Sequence, residues 1–429
     1  MKLTARPGGP LTGEARIAGD KSCSHRALIF GALAEGETRI IGLQEGDDVL
    51  ATVKALREFG IAVEKDGDIW SIRGGGWRSA SAIECGNSGT TARLLMGAVA
   101  GIPGVRALFT GDASLSSRPM QRVTLPLARM GAVIQGGERL PISIEGVHLG
   151  GIEHRNVPAS AQVKSAILLA GLGTEAPVSI MEPVPSRDHT EIMLAQFDCD
   201  IAVNDAPDGR TVALGGGRML TGCELSIAAD PSSAVFPLVA AALVPGSQVM
   251  VRGMLVNPLR TGLYEALEQM GADIELSNEH IQSGEIVADI HVRHAALAPC
   301  GVGAEQIPAM IDEIPALAVA CAFADGESVI EGLGELRVKE SDRLGAIVAG
   351  LTACGVSAVA DRDTLRIFGK GMVRGGASIA TQGDHRIAMA FLALGLAAEQ
   401  PVEVDEAEMI GTSFPDFVEV MQSLGADIQ

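Results

Sequence analysis

The segment Leu56–Val63, LREFGIAV, contains the pattern on which the fold prediction depends. The order Leu-x-x-apolar-Gly is typical of a helix end, because glycine readily adopts the left-handed conformation of a C-cap. A short apolar strand follows the glycine. The pattern recurs along the chain, and successive copies start 71, 67, 73, 84 and 70 residues apart, at Leu127–Gly131, Leu194–Asp198, Leu267–Gly271, Leu351–Gly355 and Met421–Gly425. The copy at Leu194–Asp198 has aspartate in place of the glycine.

Each copy is preceded by an Ala-rich helix and a strand, so the repeating unit reads helix, strand, helix and two strands. The Ala-rich helices are predicted to begin near Ser22, Thr90, Ala161, Ser232, Glu313 and His385. The sixth copy stops at Gln429, before its last strand. We therefore predict that the N-terminus completes the sixth unit, with Glu14–Ala18 as the candidate strand.

Six copies divide naturally into two groups of three. The predicted domains are residues 21–228, and residues 1–20 together with 229–429, with crossings near Asp20 and Ala228. Two similar domains that face each other leave a cleft, where small-molecule sites concentrate. A continuous solenoid is the alternative, but the spacing exceeds that of most solenoid repeats.

Composition narrows the classes of function. Aromatic residues make up only 3% of the chain, which argues against a stacking platform for single-stranded nucleic acid. The net charge of −20 repels nucleic acid and anionic membranes, so we expect neither as a partner. The seven cysteines are scattered, and the N-terminus has no apolar segment typical of a signal peptide. Both features favour a cytoplasmic protein with reduced thiols.

Cations open several of the Ala-rich helices. Lys21, Arg93, Lys164 and Arg386 lie in or near the first turn of four of them. Such a position opposes the helix macrodipole, and a bound anion would resolve the conflict. Gly89 would let the backbone approach that anion closely. Solvated cations are the alternative for any one position, and the neighbouring Asp, Ser and Asn residues also serve as ordinary N-caps.

Three further basic clusters lie at Ser116–Pro119, Ser186–His189 and Arg337–Arg343. Acidic and basic residues alternate in the last of these, which is typical of an exposed helix with surface salt bridges. The histidines and cysteines form no recognisable ligand set, so no metal is expected.

These motifs together resemble one family. They are Asp20-Lys21-Ser22 with Arg26, Gly86–Thr90 with Arg93, Ser117–Met120, Ser160–Gln162, Arg337–Arg343 and Asp384–Arg386. Their order and spacing are similar to the motif series of 5-enolpyruvylshikimate-3-phosphate synthases. The resemblance implies an α/β fold of two similar domains, each of three βαβαββ units forming an inside-out α/β barrel, with an interdomain cleft. This agrees with the repeat count.

The resemblance also implies a reaction that needs no cofactor. The enolpyruvyl group of phosphoenolpyruvate passes to the 5-hydroxyl of shikimate 3-phosphate and phosphate is released, a step of aromatic amino-acid (chorismate) biosynthesis. The family is the target of glyphosate, and Gly89 at the inhibitor-facing position suggests sensitivity. We expect a monomer.

The family pattern assigns roles to individual residues. By this resemblance Asp312 is the base, Glu340 the acid, and Lys21 assists either proton step. The implied contacts of shikimate 3-phosphate are Lys21, Ser22, Arg26, Ser160, Ala161, Gln162, Ser186, Asp312 and Lys339. The implied contacts of phosphoenolpyruvate are Lys21, Gly89, Arg118, Gln162, Arg343 and Arg386. The chain departs from the commonest pattern where Ala161 replaces Ser, His189 replaces Tyr and Thr412 replaces Lys, and Arg187 is a further candidate contact.

Two other functions compete with this interpretation. UDP-N-acetylglucosamine enolpyruvyl transferases share the architecture, but usually have Asn after the lysine and a Cys in the loop before the Arg-Pro segment. Here the residue after the lysine is Ser22, and Asp112–Ser117 contains no cysteine. A non-catalytic two-domain anion-binding protein would also explain the cations, but gives no role to Asp312 and Glu340.

Overall fold

The computed structural model describes residues 1–429 and separates into two compact units. Domain 1 comprises Gly19–Ile227 and Gln282–Glu285. Domain 2 comprises Met1–Ala18, Ala228–Ile281 and Ile286–Gln429. None of the helices combines the length and the apolar composition that crossing a bilayer requires.

Strands and helices alternate along the whole chain. The strands are β1 Leu3–Arg6, β2 Thr12–Glu14, β3 Glu37–Ile41, β4 Ala62–Asp66, β5 Ile69–Arg73, β6 Ala80–Glu84, β7 Arg106–Thr110, β8 Val133–Gly136, β9 Ile142–Glu145, β10 Ile152–Arg155, β11 Val178–Glu182, β12 Ile201–Ala206, β13 Gly209–Leu214, β14 Glu224–Ser226, β15 Gln248–Leu255, β16 Asp273–Gln282, β17 Glu285–Arg293, β18 Gly301–Val302, β19 Asp325–Ile330, β20 Ser357–Asp361, β21 Thr364–Lys370, β22 Ser378–Ile379, β23 Val402–Val404 and β24 Asp427–Ile428. The α-helices are α1 Lys21–Leu33, α2 Asp47–Glu58, α3 Gly89–Ala100, α4 Ala113–Ser117, α5 Gln121–Arg129, α6 Ala161–Gly171, α7 His189–Gln196, α8 Pro231–Leu243, α9 Gly262–Gln269, α10 Ile314–Phe323, α11 Arg343–Ala353, α12 His385–Ala397 and α13 Phe417–Ser423. Short 3₁₀ helices lie at Ile307–Ala309, Leu333–Val338 and Ala407–Thr412.

The strands form six four-stranded sheets with one shared topology. The orders in domain 1 are β14-β3-β5-β4, β6-β7-β9-β8 and β10-β11-β13-β12, and those in domain 2 are β16-β17-β15-β2, β18-β19-β21-β20 and β22-β23-β1-β24. Each sheet contains one parallel pair, such as β6 with β7, and two antiparallel pairs. The predicted α/β fold of two domains with three βαβαββ units each is therefore confirmed.

The N-terminus contributes strands to two different units. Strand β1 pairs with both β23 and β24, so the N-terminus does complete the sixth unit. The predicted strand Glu14–Ala18 was wrong, because the strand is β2, at Thr12–Glu14, and it pairs with β15 of the fourth unit. The amide of Ala15 still donates to the Met250 carbonyl of β15, and the chain then runs towards α8, where the amide of Asp230 donates to the carbonyl of Ala18.

The Ala-rich helices form the interior of each domain. In domain 1, α3 contacts both α1 and α6, and α1 also contacts α7. In domain 2, α8, α10 and α12 pack together. Almost every residue of α8 and α12 is buried, as expected for helices that are apolar on all sides. The sheets cover the helices, and a strand such as β3 alternates buried and exposed residues. Helices inside and sheets outside give the inside-out arrangement.

We predict that Gly97→Ala destabilises domain 1 by about 1–3 kcal/mol, because overpacking a tight helix contact forces the backbones apart. A Cβ atom at Gly97 would lie 2.3 Å from the carbonyl oxygen of Ala166 on α6. The free energy of unfolding in urea measures the effect. The control is Gly137→Ala, where no atom lies within 4 Å of the added methyl group. Equal stability of the two variants would show that α3 and α6 tolerate the extra volume.

Candidate active site

Lys21 opens α1 beside a carboxylate that the sequence motifs did not indicate. Its ammonium group lies 2.8 Å from Oδ2 of Asp48, on the first turn of α2. Asp20 caps α1 by accepting from the amide of Cys23. The cation at this helix start is thus paired but half-buried, and an arriving anion would compete with Asp48 for it.

Arg26 lies one turn further along α1 and is 3% exposed. Its Nε, Nη1 and Nη2 atoms donate, respectively, to Thr190 Oγ1 at 2.7 Å, the Ser22 carbonyl at 2.9 Å and Ser165 Oγ at 2.8 Å. Burial lowers the pKa of Arg26, which stays far above neutrality for any guanidinium. Arg26 therefore joins α1, α6 and the start of α7, and Ser22 lies beside it.

The second cluster of domain 1 surrounds the start of α3. Arg93 Nη1 donates to Gln162 Oε1 at 2.7 Å, and Gln162 Nε2 donates to Thr90 Oγ1 at 2.9 Å. A Cβ atom on Gly89 would lie 2.8 Å from Arg93 Nη1 and 3.5 Å from Arg118 Nη1. The predicted residues Gly89, Arg118 and Gln162 therefore come together with Arg93. Two guanidinium groups at one helix N-terminus form a site suited to an anion.

Arg118 is held by residues of the preceding loops. Its Nη2 atom donates to Asn87 Oδ1 at 2.5 Å and to Ser114 Oγ at 3.1 Å. Arg93 was noted in the sequence as a helix-start cation and part of a family motif, and Asn87 as a possible N-cap, but neither was assigned a substrate contact. The Gly-Asn-Ser-Gly-Thr motif contained the signal for both, since it lies one turn before Arg93.

The start of α6 carries the predicted residues Ser160, Ala161 and Gln162, all partly exposed. Ser160 caps the helix by accepting from the amide of Val163. Ser186 lies in the loop after β11 and donates through Oγ to Glu182 Oε1 at 2.5 Å. The interpretation of Lys164 as an anion-binding cation is wrong, because this side chain is fully buried and pairs with Glu182 and Glu191.

Asp20, Cys23 and His189 are the residues of domain 1 that could hold a metal ion. Their potential ligand atoms lie within 4.8 Å of one another, and all three residues are buried. His189 Nδ1 also contacts Glu285 Oε1 at 2.6 Å. The group lies at the N-terminus of α1, where the macrodipole and Lys21 disfavour a cation. These residues are better explained by the cap of α1 and the attachment of α7.

In domain 2 the guanidinium group of Arg343 is the centre of the predicted cluster. Its side chain is 1% exposed and contacts Asp384 Oδ2 at 2.7 Å, Glu340 Oε2 at 2.5 Å and Asp312 Oδ1 at 3.4 Å. Burial alone would lower the pKa of Arg343, but the charges of Asp384, Glu340 and Asp312 together raise it above its ordinary value. The predicted surface salt bridge in Arg337–Arg343 is present between Arg337 and Asp342, at 3.1 Å. The prediction of one exposed helix was wrong, because α11 begins only at Arg343, which is buried beside Asp384.

Asp312 and Glu340 therefore lie beside the same cation. Asp312 also contacts Lys339, with Nζ 3.3 Å from Oδ1. Both carboxylates are partly exposed, whereas Asp384 is fully buried as the N-cap of α12. Asp312 thus contacts two cations, Lys339 and Arg343, and Glu340 contacts one of the same cations, Arg343. Such paired groups are candidates for proton transfer.

Arg386 completes the cluster in domain 2. Its Nη1 atom donates to the backbone carbonyl of Asp312 at 3.2 Å and lies 3.9 Å from Glu313 Oε1. Thr412 is buried and donates to the Met409 carbonyl at 2.7 Å. Thr412 thus supplies no charge where many members of the resembled family have lysine.

The predicted residues accordingly fall into two sets that can be described separately. Domain 1 holds Lys21, Ser22, Arg26, Gly89, Arg118, Ser160, Ala161, Gln162 and Ser186, and domain 2 holds Asp312, Lys339, Glu340, Arg343 and Arg386. Residues that the sequence did not indicate are mostly carboxylates and amides that fix these groups, namely Asp48, Asn87, Asn156 and Glu182.

Comparison with known proteins identifies relatives over the full chain. The family model described as EPSP synthase (3-phosphoshikimate 1-carboxyvinyltransferase) matches residues 5–421. The chain is 51% identical to the 3-phosphoshikimate 1-carboxyvinyltransferase of Phenylobacterium zucineum, over 99% of this chain and 95% of that protein. The protein of the same name from Caulobacter vibrioides (strain NA1000 / CB15N) is also 51% identical, over 99% of this chain and 98% of the relative.

Solved structures show the same architecture. The EPSP synthase of Acinetobacter baumannii superposes with a TM-score of 0.87 at 41% identity, covering 100% of this chain and 99% of that one. The enolpyruvyl transferase NikO of Streptomyces tendae has a TM-score of 0.79 at 20% identity, covering 100% and 98% of the two chains, which shows a shared fold.

We predict that Arg343→Met lowers the free energy of unfolding by about 3–5 kcal/mol, because it leaves the buried carboxylate of Asp384 without a cation. Urea unfolding of the full chain measures the effect. The control is Arg366→Met, which breaks an ion pair to Glu327 whose side chains are 50% and 43% exposed. This control should cost less than about 1 kcal/mol. Similar losses in both variants would show that the Arg343 cluster does not stabilise domain 2.

Proposed function

This chain belongs to the EPSP synthase (3-phosphoshikimate 1-carboxyvinyltransferase) family, and from that premise we propose how its site residues divide the reaction. The enzyme transfers the enolpyruvyl group of phosphoenolpyruvate to shikimate 3-phosphate, in aromatic amino-acid biosynthesis. Its relatives carry the name of this activity, and none of the comparisons favours a UDP-N-acetylglucosamine transferase or a binding protein.

Asp312 is the proposed base for the 5-hydroxyl group. It lies between Lys339 and Arg343, and two neighbouring cations favour the ionised carboxylate that can accept a proton. This position of Asp312 is the observation that carries the assignment. Lys339, which contacts Asp312, is proposed to bind the phosphate of shikimate 3-phosphate.

Glu340 is the proposed acid for the methylene carbon. It contacts Arg343 at 2.5 Å and is partly exposed, so it lies beside a group that is proposed to hold phosphoenolpyruvate. Lys21 is proposed to assist either proton transfer.

The remaining charges bind the two substrates. Arg118, Arg343 and Arg386 would hold phosphoenolpyruvate, since guanidinium groups bind carboxylate and phosphate in a bidentate manner. Gln162, Lys21 and the backbone at Gly89 would add contacts to it. We assign shikimate 3-phosphate to Lys21, Ser22, Arg26, Ser160, Ala161, Gln162, Ser186, Asp312 and Lys339. Arg187 is a further candidate contact.

We also propose a cytoplasmic location, because all seven cysteines are free, and a reducing compartment keeps thiols in this state. A monomer is the proposed oligomeric state.

We predict that Asp312→Ala and Glu340→Ala each lower kcat about 10²–10⁴-fold, the usual contribution of a general acid or base. Phosphate release from shikimate 3-phosphate plus phosphoenolpyruvate measures turnover, and calorimetry measures substrate affinity, which should change much less. Glu327→Ala is the control, since this exposed carboxylate of domain 2 pairs only with Arg366 among the contacts recorded for it. Near-normal kcat in either variant would remove that residue from the catalytic steps.

We predict that glyphosate inhibits the enzyme, and that Gly89→Ala raises the concentration for half-inhibition about tenfold or more, because displaced cations no longer fit the anion. The added methyl group would lie 2.8 Å from Arg93 Nη1, so the guanidinium tip has to move. The KM for phosphoenolpyruvate should rise as well. Gly137→Ala serves as the control. An inhibition curve unchanged by Gly89→Ala would separate Gly89 from the inhibitor site.

A further inference from the structure

A buried polar network lies beneath the two serines assigned to shikimate 3-phosphate. Its centre is the carboxylate of Glu182, at the end of β11, which is completely buried. Four donors surround it: Asn156 Nδ2 at 2.7 Å, Lys164 Nζ at 2.8 Å, Ser186 Oγ at 2.5 Å and the Ser186 amide at 3.2 Å. The carboxylate is thus both neutralised and hydrogen-bonded, as burial of a charge requires.

The same network reaches the backbone of both serines. Asn156 Nδ2 also donates to the carbonyl of Ser160 at 3.0 Å, and Lys164 Nζ donates to the carbonyl of Ser186 at 3.3 Å. The loop after β11 and the segment before α6 are separated in sequence by α6 and β11. One carboxylate therefore fixes the relative position of two segments that the proposed function places around one phosphate group.

We propose that Glu182, with Lys164 and Asn156, is a positioning residue that sets the distance between Ser160 and Ser186 and thereby the affinity for the phosphate of shikimate 3-phosphate. This inference rests on the proposed contacts of those two serines. Side chains that touch a ligand need partners behind them to hold the productive geometry. Glu182 lies behind Ser186 and is fully buried, so its effect on the ligand is indirect.

The network also explains how Ser186 can bind a phosphate while it donates to Glu182. A serine hydroxyl carries one proton, so it must turn away from Glu182 to donate to a phosphate oxygen. Lys164, Asn156 and the Ser186 amide then still donate to the carboxylate. Rotation of the hydroxyl therefore leaves the buried carboxylate with three donors, and the new hydrogen bond to the phosphate offsets the one that is lost.

The ionised state of Glu182 is consistent with this role. Burial would raise the pKa of Glu182, but the charge of Lys164 and the hydrogen bonds from Lys164, Ser186 and Asn156 hold it below its ordinary value. Glu182 therefore remains an acceptor at neutral pH, and Ser186 is the donor of the pair.

Glu191 provides a matched contrast within the same network. Its Oε1 atom lies 2.7 Å from Lys164 Nζ, so it pairs with the same cation as Glu182. No contact links Glu191 to Ser160 or Ser186 among those the structure records. Burial, the largest influence, raises the pKa of Glu191. Replacing either glutamate by glutamine removes one charge beside Lys164, but only Glu182→Gln disturbs the serines.

The test compares Glu182→Gln and Glu191→Gln in the full chain by steady-state kinetics and thermal unfolding. We expect Glu182→Gln to raise the KM for shikimate 3-phosphate about tenfold, a typical loss for a misplaced binding group. Its kcat and its KM for phosphoenolpyruvate should stay near the wild-type values. Glu191→Gln should leave all three constants near wild type, even where its Tm falls.

Other outcomes overturn the inference. An unchanged KM for shikimate 3-phosphate in Glu182→Gln, or equal kinetic losses in both glutamine variants, would leave the network only a structural role. If Glu182→Gln does not fold, Asn156→Ala replaces it, because this variant cuts the link to Ser160 and should raise the same KM.

Ser160→Ala and Ser186→Ala separate this inference from the proposed function. If both variants bind shikimate 3-phosphate normally, the serine contacts themselves are misassigned. If they weaken binding while Glu182→Gln and Asn156→Ala do not, the serine contacts stand and only the positioning role is wrong.

Discussion

Each domain buries a cation and surrounds it with carboxylates, and segments that carry candidate site residues are attached to those carboxylates. Lys164 lies between Glu182 and Glu191 in domain 1, and Arg343 contacts Asp384, Glu340 and Asp312 in domain 2. A buried charge is tolerated only with partners, so these groups fix one another's positions. The need of buried charges for partners thus holds the side chains of the candidate site in place.

Much of the fold was predictable because its signals are local. The helix-ending glycines and the all-apolar helices recur at a regular spacing, and each can be recognised without knowing what packs beside it. The N-terminal strand was misplaced because pairing is a non-local property. Nothing near Glu14 indicates that its partner lies in β15, more than 230 residues away. The alternation of apolar and polar residues in a strand does not show which other strand it will pair with.

The groups of the candidate site that lie in sequence motifs were predictable, and the residues that hold those groups in place were not. Lys21 and Arg386 were indicated because cations at helix starts are locally anomalous, and Gly89 and Arg118 because they lie in the family motifs. Glu182 and Asp48 lie outside any motif, and their importance depends on contacts that only the folded chain creates. Lys164 was misinterpreted for the same reason, because a sequence shows the charge of a lysine but not its burial.

The placement of the first two strands has a consequence for synthesis on the ribosome. Strand β2 can pair only after β15 has been synthesised. Strand β1 can pair only after β23 and β24, the last of which ends at Ile428. Domain 1, by contrast, obtains nearly all its strands from one continuous stretch. Domain 1 can therefore begin to fold while the chain is still being translated. Strand β1 stays unpaired until β23 and β24 have been synthesised, so domain 2 can be completed only after all the strands of domain 1 are available.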